Sequence, residues 1–197
     1  MRYLKKIFLL GLVFCLFGSF AFAQVQVQKK ALMLIAADKF QDDEFFQPKK
    51  ILEKNGIKVT VASTTLAQIT GMNGAKTKAN ILLSDARVND YDAVLFIGGS
   101  GAVQYLEDPL ALRLAQDAVA ANKIVGAICI APRILANAGV LKGKRATVYP
   151  TEGKELTACG VKYTAGSVEK DGNIITADGP VSARAFGDEI ARALFAR

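Results

Sequence analysis

The 197-residue chain contains no histidine. That absence removes Ser-His-Asp and Cys-His catalysis and the usual zinc sites. Basic residues are in excess, 25 Lys and Arg against 18 Asp and Glu. They stand in singles and pairs, such as Lys29-Lys30 and Lys49-Lys50. No basic stripe with interleaved aromatics is present, so no nucleic-acid partner is expected. Internal repeats, low-complexity tracts and linkers are also missing, which leaves one folding unit. Cysteine is sparse, with only Cys15, Cys129 and Cys159.

The longest apolar run lies at the start. Arg2, Lys5 and Lys6 give a basic opening, and Ile7 to Phe22 is almost wholly apolar. The run closes on Ala21-Phe22-Ala23, small residues around a bulky one. This is the layout of a secretory signal peptide cut after Ala23. The rival reading is a membrane anchor. The run has 16 residues, short of the ~20 that span a bilayer, and the small residues favour cleavage. Phe14 is too bulky to precede a lipidated Cys15. The expected organisation is a signal peptide over 1–23, a polar lead-in over 24–30, and one domain over 31–197. The expected product is exported, periplasmic or secreted, with no stable membrane anchor after cleavage. The leader holds three of the 25 basic residues and no acidic one, so the remaining 174 residues carry a net charge of +4. That length suffices for a buried core.

Residues 31–37 form an unbroken apolar run, suited to a strand covered on both faces. Asp38 to Asn55 reads as helical and stops at Gly56. Pro48 lies inside that stretch, and proline suits a first helical turn. The helix is therefore predicted to start near Pro48, after a tight turn holding Glu44. A second strand is predicted over 58–62, and short strands are expected within 64–84. The strand at 93–97 runs into Gly98-Gly99-Ser100-Gly101. Asp108-Pro109 opens a helix that reaches about Asn122. Further strands are expected at 124–128 and 146–149, with a short helix from Pro132 to Gly139 between them. Asp171-Gly172 signals a hairpin within 168–176, and 183–195 reads as a closing helix. Strands alternating with helices predict an α/β fold: a mostly parallel central sheet with helices on both faces. In such sheets the functional crevice lies beyond the carboxyl ends of the strands.

Three features fall at those ends. Cys129 ends a buried strand where a helix begins, and Gly126 and Ala131 leave room for a sharp turn. A residue at such an elbow projects outward, and the adjoining helix N-terminus favours a thiolate. A packing cysteine is the bland alternative, and on spacing alone the two readings are about even. The glycine run lacks the ending of a P-loop and does not fit the dinucleotide fingerprint. By itself it is more simply a tight packed loop. Beside a nucleophile it becomes a source of backbone donors for an oxyanion. Glu44 lies in the acidic cluster Asp42-Asp43-Glu44. A solvated turn is the default there, with one carboxylate at most pointing inward and periodicity unable to choose it.

The pattern resembles a known family. Asp90-Tyr91-Asp92 before a strand and Gly98-Gly99 comes first, then Ala127-Ile128-Cys129-Ile130-Ala131-Pro132. Asp171-Gly172-Asn173-Ile174-Ile175-Thr176 and Gly179-Pro180 follow. Together they are similar to the ThiJ/PfpI family, which includes the Parkinson-linked protein deglycase and the archaeal intracellular proteases. The resemblance covers about residues 30–196 and implies the class I glutamine amidotransferase-like (flavodoxin-like) sandwich. It implies Cys129 as the reactive elbow cysteine and Glu44, with Pro48 and Gly56 in register, as its protonated partner. Two bare anions in contact would repel, so one must hold a proton. Gly99 and Ile130 are implied as backbone oxyanion donors, with Gly98 and Tyr149 at the pocket. Two departures count against peptidase chemistry: Ile130 and Tyr149 stand where relatives carry histidine.

The resemblance implies a small-molecule carbonyl substrate such as methylglyoxal, no cofactor and no metal, and a homodimer or higher homo-oligomer. The reaction expected is Glu-assisted and glyoxalase- or deglycase-like. The alternative is a redox-sensing or chaperone-like stress protein without turnover, since an exposed low-pKa cysteine oxidises readily. A Cys129–Cys159 disulfide is the structural alternative in an oxidising compartment.

Overall fold

Four short apolar runs build the middle of the molecule. The computed structural model describes residues 28–196, so the expected signal peptide and most of the polar lead-in lie outside the described residues. The strands are β1 (Lys30–Leu34), β2 (Lys58–Ser63), β3 (Gln68–Thr70), β4 (Lys76–Lys78), β5 (Ile81–Leu82) and β6 (Ala93–Phe96). They continue with β7 (Ile124–Ile128), β8 (Arg145–Ala146), β9 (Lys162–Tyr163), β10 (Val168–Asp171) and β11 (Ile174–Ala177). The helices are α1 (Asp42–Lys54), α2 (Pro109–Ala120), α3 (Pro132–Asn137), α4 (Gly153–Ala158) and α5 (Ala183–Phe195). A seven-stranded sheet runs in the order β10-β11-β7-β6-β1-β2-β5. Its pairs are parallel except β10 with β11.

Alternation along the central strands splits the core in two. Leu32, Leu34, Val94, Phe96, Val125 and Ala127 face one side, where Ala111, Leu114 and Ala115 of α2 and Ile134 and Leu135 of α3 cover them. Met33, Ile35, Leu95 and Ile128 face the other, under Phe45 and Leu52 of α1 and Phe186, Ile190 and Leu194 of α5. A strand buried on both faces must be apolar at successive positions, which is why β6 and β7 are buried throughout. Burying each such side chain contributes about 1.5–3 kcal/mol. Asp108 starts α2 by accepting from the amides of Leu110 at 2.8 Å and Ala111 at 3.0 Å, a cap worth about 1 kcal/mol.

Several expectations change here. The first helix does not wait for Pro48. It starts at Asp42 because the Gln41 side chain accepts from the Glu44 amide at 2.8 Å, which caps the helix six residues earlier. Pro48 lies buried inside α1, where it withholds one donor from the Glu44 carbonyl. Glu44 is therefore on the first helical turn, not in a loop before it. Gly126 is small for a different reason than expected. A Cβ there would meet Leu95, Ile190 and Phe186 at 2.6–2.8 Å, so its smallness seats α5 on the sheet. The strand expected at 146–149 is shorter, because only Arg145 and Ala146 pair, with β9. Beyond it the Tyr149 amide turns to the Cys129 carbonyl at 2.8 Å. In the closing hairpin Asp171 pairs with Ile174, so the two turn residues are Gly172 and Asn173, one place later than the Asp-Gly signal.

Candidate active site

The carboxyl ends of β1, β6 and β7 lie side by side in the sheet, and each sends one loop to the same place. From β1 the chain reaches Gln41 and the first turn of α1. From β6 it enters Gly98-Gly99, and the Gly98 carbonyl accepts from the Gln41 amide at 3.1 Å. From β7 it arrives at Cys129, whose φ of 63° is in the left-handed region. The Cys129 amide is held by the Ala177 carbonyl at 2.9 Å and its carbonyl by Tyr149. A cysteine pays roughly 1–2 kcal/mol for that backbone, and the two flanking bonds keep it there.

Gly98 is where the acid and the sulfur meet. A Cβ at Gly98 would fall 2.5 Å from Glu44 Oε2 and 2.7 Å from Cys129 Cβ. Only a residue without a side chain lets both approach so closely. Glu44 is 0% exposed, and neither of its carboxyl oxygens has a hydrogen-bond partner at good geometry. Burial therefore pushes its pKa from 4.5 up to about 8, and the nearby Cys129 thiol and Gly98 amide only partly oppose this. Burial also pushes the Cys129 thiol up to about 12, with the Glu44 charge adding to the rise; the Gly99 and Ile130 amides pull it down.

The sequence reading of a thiolate favoured by a helix terminus misses this desolvation. The two values belong to one coupled pair that shares a proton over the intervening pH range. When that proton sits on Glu44, the charge that raises the thiol disappears. The negative charge is better placed on sulfur, which is only partly buried and faces two amides, than on a fully buried carboxylate. The Gly99 and Ile130 amides lie beside the sulfur.

A cavity of about 350 Å³ opens over the sulfur, lined by Glu44, Gly99, Cys129, Ile130 and Tyr149 among others. Gly98 lies behind this lining, not in it. Tyr149 is 43% exposed at the mouth. Sequence reasoning missed Gln41, Met72, Glu152 and Pro180, which also line the cavity. Met72 comes from the β3–β4 turn, and only the folded register brings that turn here. The acidic cluster also turns out differently, because two of its carboxylates point inward. Asp42 is 7% exposed and accepts from the amides of Asn73 at 2.8 Å and Ala75 at 2.9 Å. Asp43 alone stays exposed.

Cys129 and Cys159 are both free thiols, and Cys159 follows α4 as its cap. A larger cavity of about 650 Å³ lies between residues 83–90 and α2. It has no cysteine and no buried carboxylate, so the chemistry points to the smaller one. Among the described residues no cluster of three or more His, Cys, Asp or Glu side chains could hold a metal ion. Among them also, no helix is long and apolar enough to cross a membrane.

The model of the DJ-1/PfpI family matches residues 29–193. The chain belongs to the DJ-1/PfpI family. A protein of Methanocaldococcus jannaschii is 42% identical over 168 residues, which is 84% of this chain and 82% of that protein. A deglycase of Pyrococcus abyssi is 29% identical, covering 83% of this chain and 98% of that enzyme. A glutathione-independent glyoxalase of Caenorhabditis elegans is 27% identical over 85% of this chain and 89% of its own length. The crystal structure of a ThiJ/PfpI domain protein from Brachyspira murdochii superposes with a TM-score of 0.84 at 30% identity, covering 86% of this chain and 98% of that one. The family membership and the parallel sheet agree with what the sequence motifs implied.

Proposed function

We propose that the protein converts reactive 2-oxoaldehydes such as methylglyoxal into 2-hydroxy acids, with Cys129 as nucleophile and Glu44 as proton shuttle. The observation that carries this is the Glu44 carboxyl: fully buried, without a bonded partner, and packed against the cysteine at the floor of a cavity. A deglycase and a glyoxalase among the relatives support the same substrate class.

The thiolate attacks the aldehyde carbon, a C–S bond forms, and the carbonyl electron pair moves to oxygen. The Gly99 and Ile130 amides that solvate the thiolate are placed to accept this charge. Glu44 gives its proton to the alkoxide, which leaves a hemithioacetal and a carboxylate. That carboxylate takes the proton from the former aldehyde carbon and gives it to the neighbouring carbonyl oxygen, which leaves an enediol. The hydroxyl proton on the former aldehyde oxygen then passes by way of Glu44 to the neighbouring carbon, which leaves a 2-hydroxy thioester. Water hydrolyses the thioester: the C–S bond breaks, lactate and a proton leave, and the thiol is regenerated. The sum is methylglyoxal plus water to lactate, and each step uses only the sulfur, one carboxyl and backbone donors.

The test is proton NMR of purified protein with methylglyoxal in D2O. Lactate should form faster than in buffer, with deuterium at C2 because the shuttled proton exchanges on Glu44. Lactate at no more than the buffer rate would overturn the reading. The redox-sensing alternative has weaker support, because it makes no use of the buried Glu44 carboxyl or of the cavity over the sulfur. A Cys-His peptidase lacks its second partner here, since the cavity holds Ile130 and Tyr149 and the chain has no histidine, although a Bacillus subtilis relative at 32% identity is named a putative cysteine protease.

We also propose that the protein is exported with loss of residues 1–23, on the strength of its basic, apolar and small-residue leader. Intact mass of the protein purified from its native cells should correspond to a start at Gln24. A mass that retains Met1 to Ala23 counts against export by cleavage.

A further inference from the structure

Resting on the dicarbonyl reading, we propose that the cavity selects uncharged 2-oxoaldehydes with an apolar substituent, and that Met72 is the wall that sets this selectivity. The cavity of about 350 Å³ has room for roughly ten non-hydrogen atoms at a water's share of about 30 Å³ each. Methylglyoxal has only five, and a phenyl substituent brings the count to ten. The faces offered to that substituent are Met72, Ile130, Tyr149 and Pro180.

No Lys or Arg lines the cavity. Its charged groups are Glu44, which shares its proton with Cys129, and Glu152, whose Oε2 is taken by Arg133 Nη1 at 2.8 Å. An anionic substrate would lose its water beside a thiolate with no free cation in return, a large cost. Three backbone amides of the lining are already engaged. The Gly99 and Ile130 amides face the sulfur, and the Ser100 amide donates to Met72 Sδ at 3.3 Å.

Met72 is 50% exposed, yet its turn is fixed. The Met72 amide donates to the Phe40 carbonyl at 2.8 Å, and the Lys39 amide donates to Thr70 at 2.8 Å. The Asp42 carboxylate holds the Asn73 and Ala75 amides of the same turn. Asp42 is thus a positioning residue for the thioether, two places before the acid that moves the proton.

The experiment follows alkylation of Cys129 by iodoacetamide, iodoacetate and 2-iodo-N-phenylacetamide, with peptide mass spectrometry to separate it from Cys159. In each case the Sγ–C bond forms and iodide leaves, so turnover is not required. The iodoacetamide-to-iodoacetate rate ratio at Cys129 should exceed that of β-mercaptoethanol by at least about tenfold. The phenyl reagent should react no slower than iodoacetamide. Met72→Lys should lower the ratio about tenfold. Met72→Gln, uncharged and of similar length, should keep the ratio and slow the phenyl reagent several-fold; it carries the test if Met72→Lys melts early. A ratio equal to that of the small thiol, no reaction at Cys129, or indifference to both Met72 variants overturns the proposal. Failure to form lactate with these ratios intact would instead remove the dicarbonyl reading and leave the pocket's selectivity standing.

Discussion

Replacing Glu44 by glutamine should remove most of the pH dependence of stability between pH 5 and 8. In the wild type the folded carboxyl holds its proton up to about pH 8, whereas its ordinary value is 4.5. Across this window the folded state binds a proton that the unfolded state has released. The contribution of Glu44 to stability is therefore fully present below about pH 4.5 and is lost as pH rises toward 8. The slope approaches about 1.4 kcal/mol per pH unit, and the total is on the order of 4 kcal/mol. Glutamine keeps the shape and cannot ionise, so the variant should show a nearly flat profile and be the more stable form at pH 8. Urea denaturation at half-unit steps of pH would measure this. The absence of histidine makes the signal clean, since no other side chain of ordinary pKa titrates between 6 and 8. A flat wild-type profile, or an unchanged slope in the variant, would show that Glu44 is not held protonated.

Cys129→Ser should lower the methylglyoxal kcat/KM by at least about a thousandfold, to near the buffer rate. Serine fits the same backbone and volume, so the fold is kept. Its hydroxyl is a weak nucleophile unless a base withdraws its proton, and this chain has no imidazole to do so. The thiol needs less help, because Glu44 can hold the shared proton while the sulfur carries the charge. The wild-type rate should accordingly rise with pH until the pair loses its first proton near 8, then level off. Equal rates for wild type and Cys129→Ser would move the chemistry away from this sulfur.

The parts of the fold that local chemistry decides were readable from sequence. β7 and α5 fall on the expected residues, and α2 starts where Asp108 and Pro109 place it. What remained hidden depends on contacts between distant segments. The start of α1 is set by a glutamine cap, and glutamine is not among the usual capping residues. The role of Gly126 follows from the approach of Phe186 and Ile190, some sixty residues away. Asp42 and Glu44 differ by two places in sequence, yet one holds a turn and the other faces the sulfur. Both are buried, and helical periodicity cannot assign those tasks. Met72 carries no local signal at all, since its place in the cavity is fixed by bonds to Phe40 and Ser100. The motifs around Cys129 and Gly98-Gly99 were legible because strand ends and tight turns leave short-range marks. The electrostatics were not, because desolvation depends on the whole surrounding fold.

The left-handed backbone at Cys129 has an energetic meaning beyond geometry. Glycine would occupy that conformation without penalty, and a cysteine there costs the fold roughly 1–2 kcal/mol. Every unfolding event lets the residue relax, so part of the folding free energy is held as backbone strain at the residue proposed as the nucleophile. Substitutions that ease this turn and substitutions that preserve its chemistry are therefore pulled in opposite directions. A version of this protein optimised for thermal endurance alone would be expected to lose its nucleophile first.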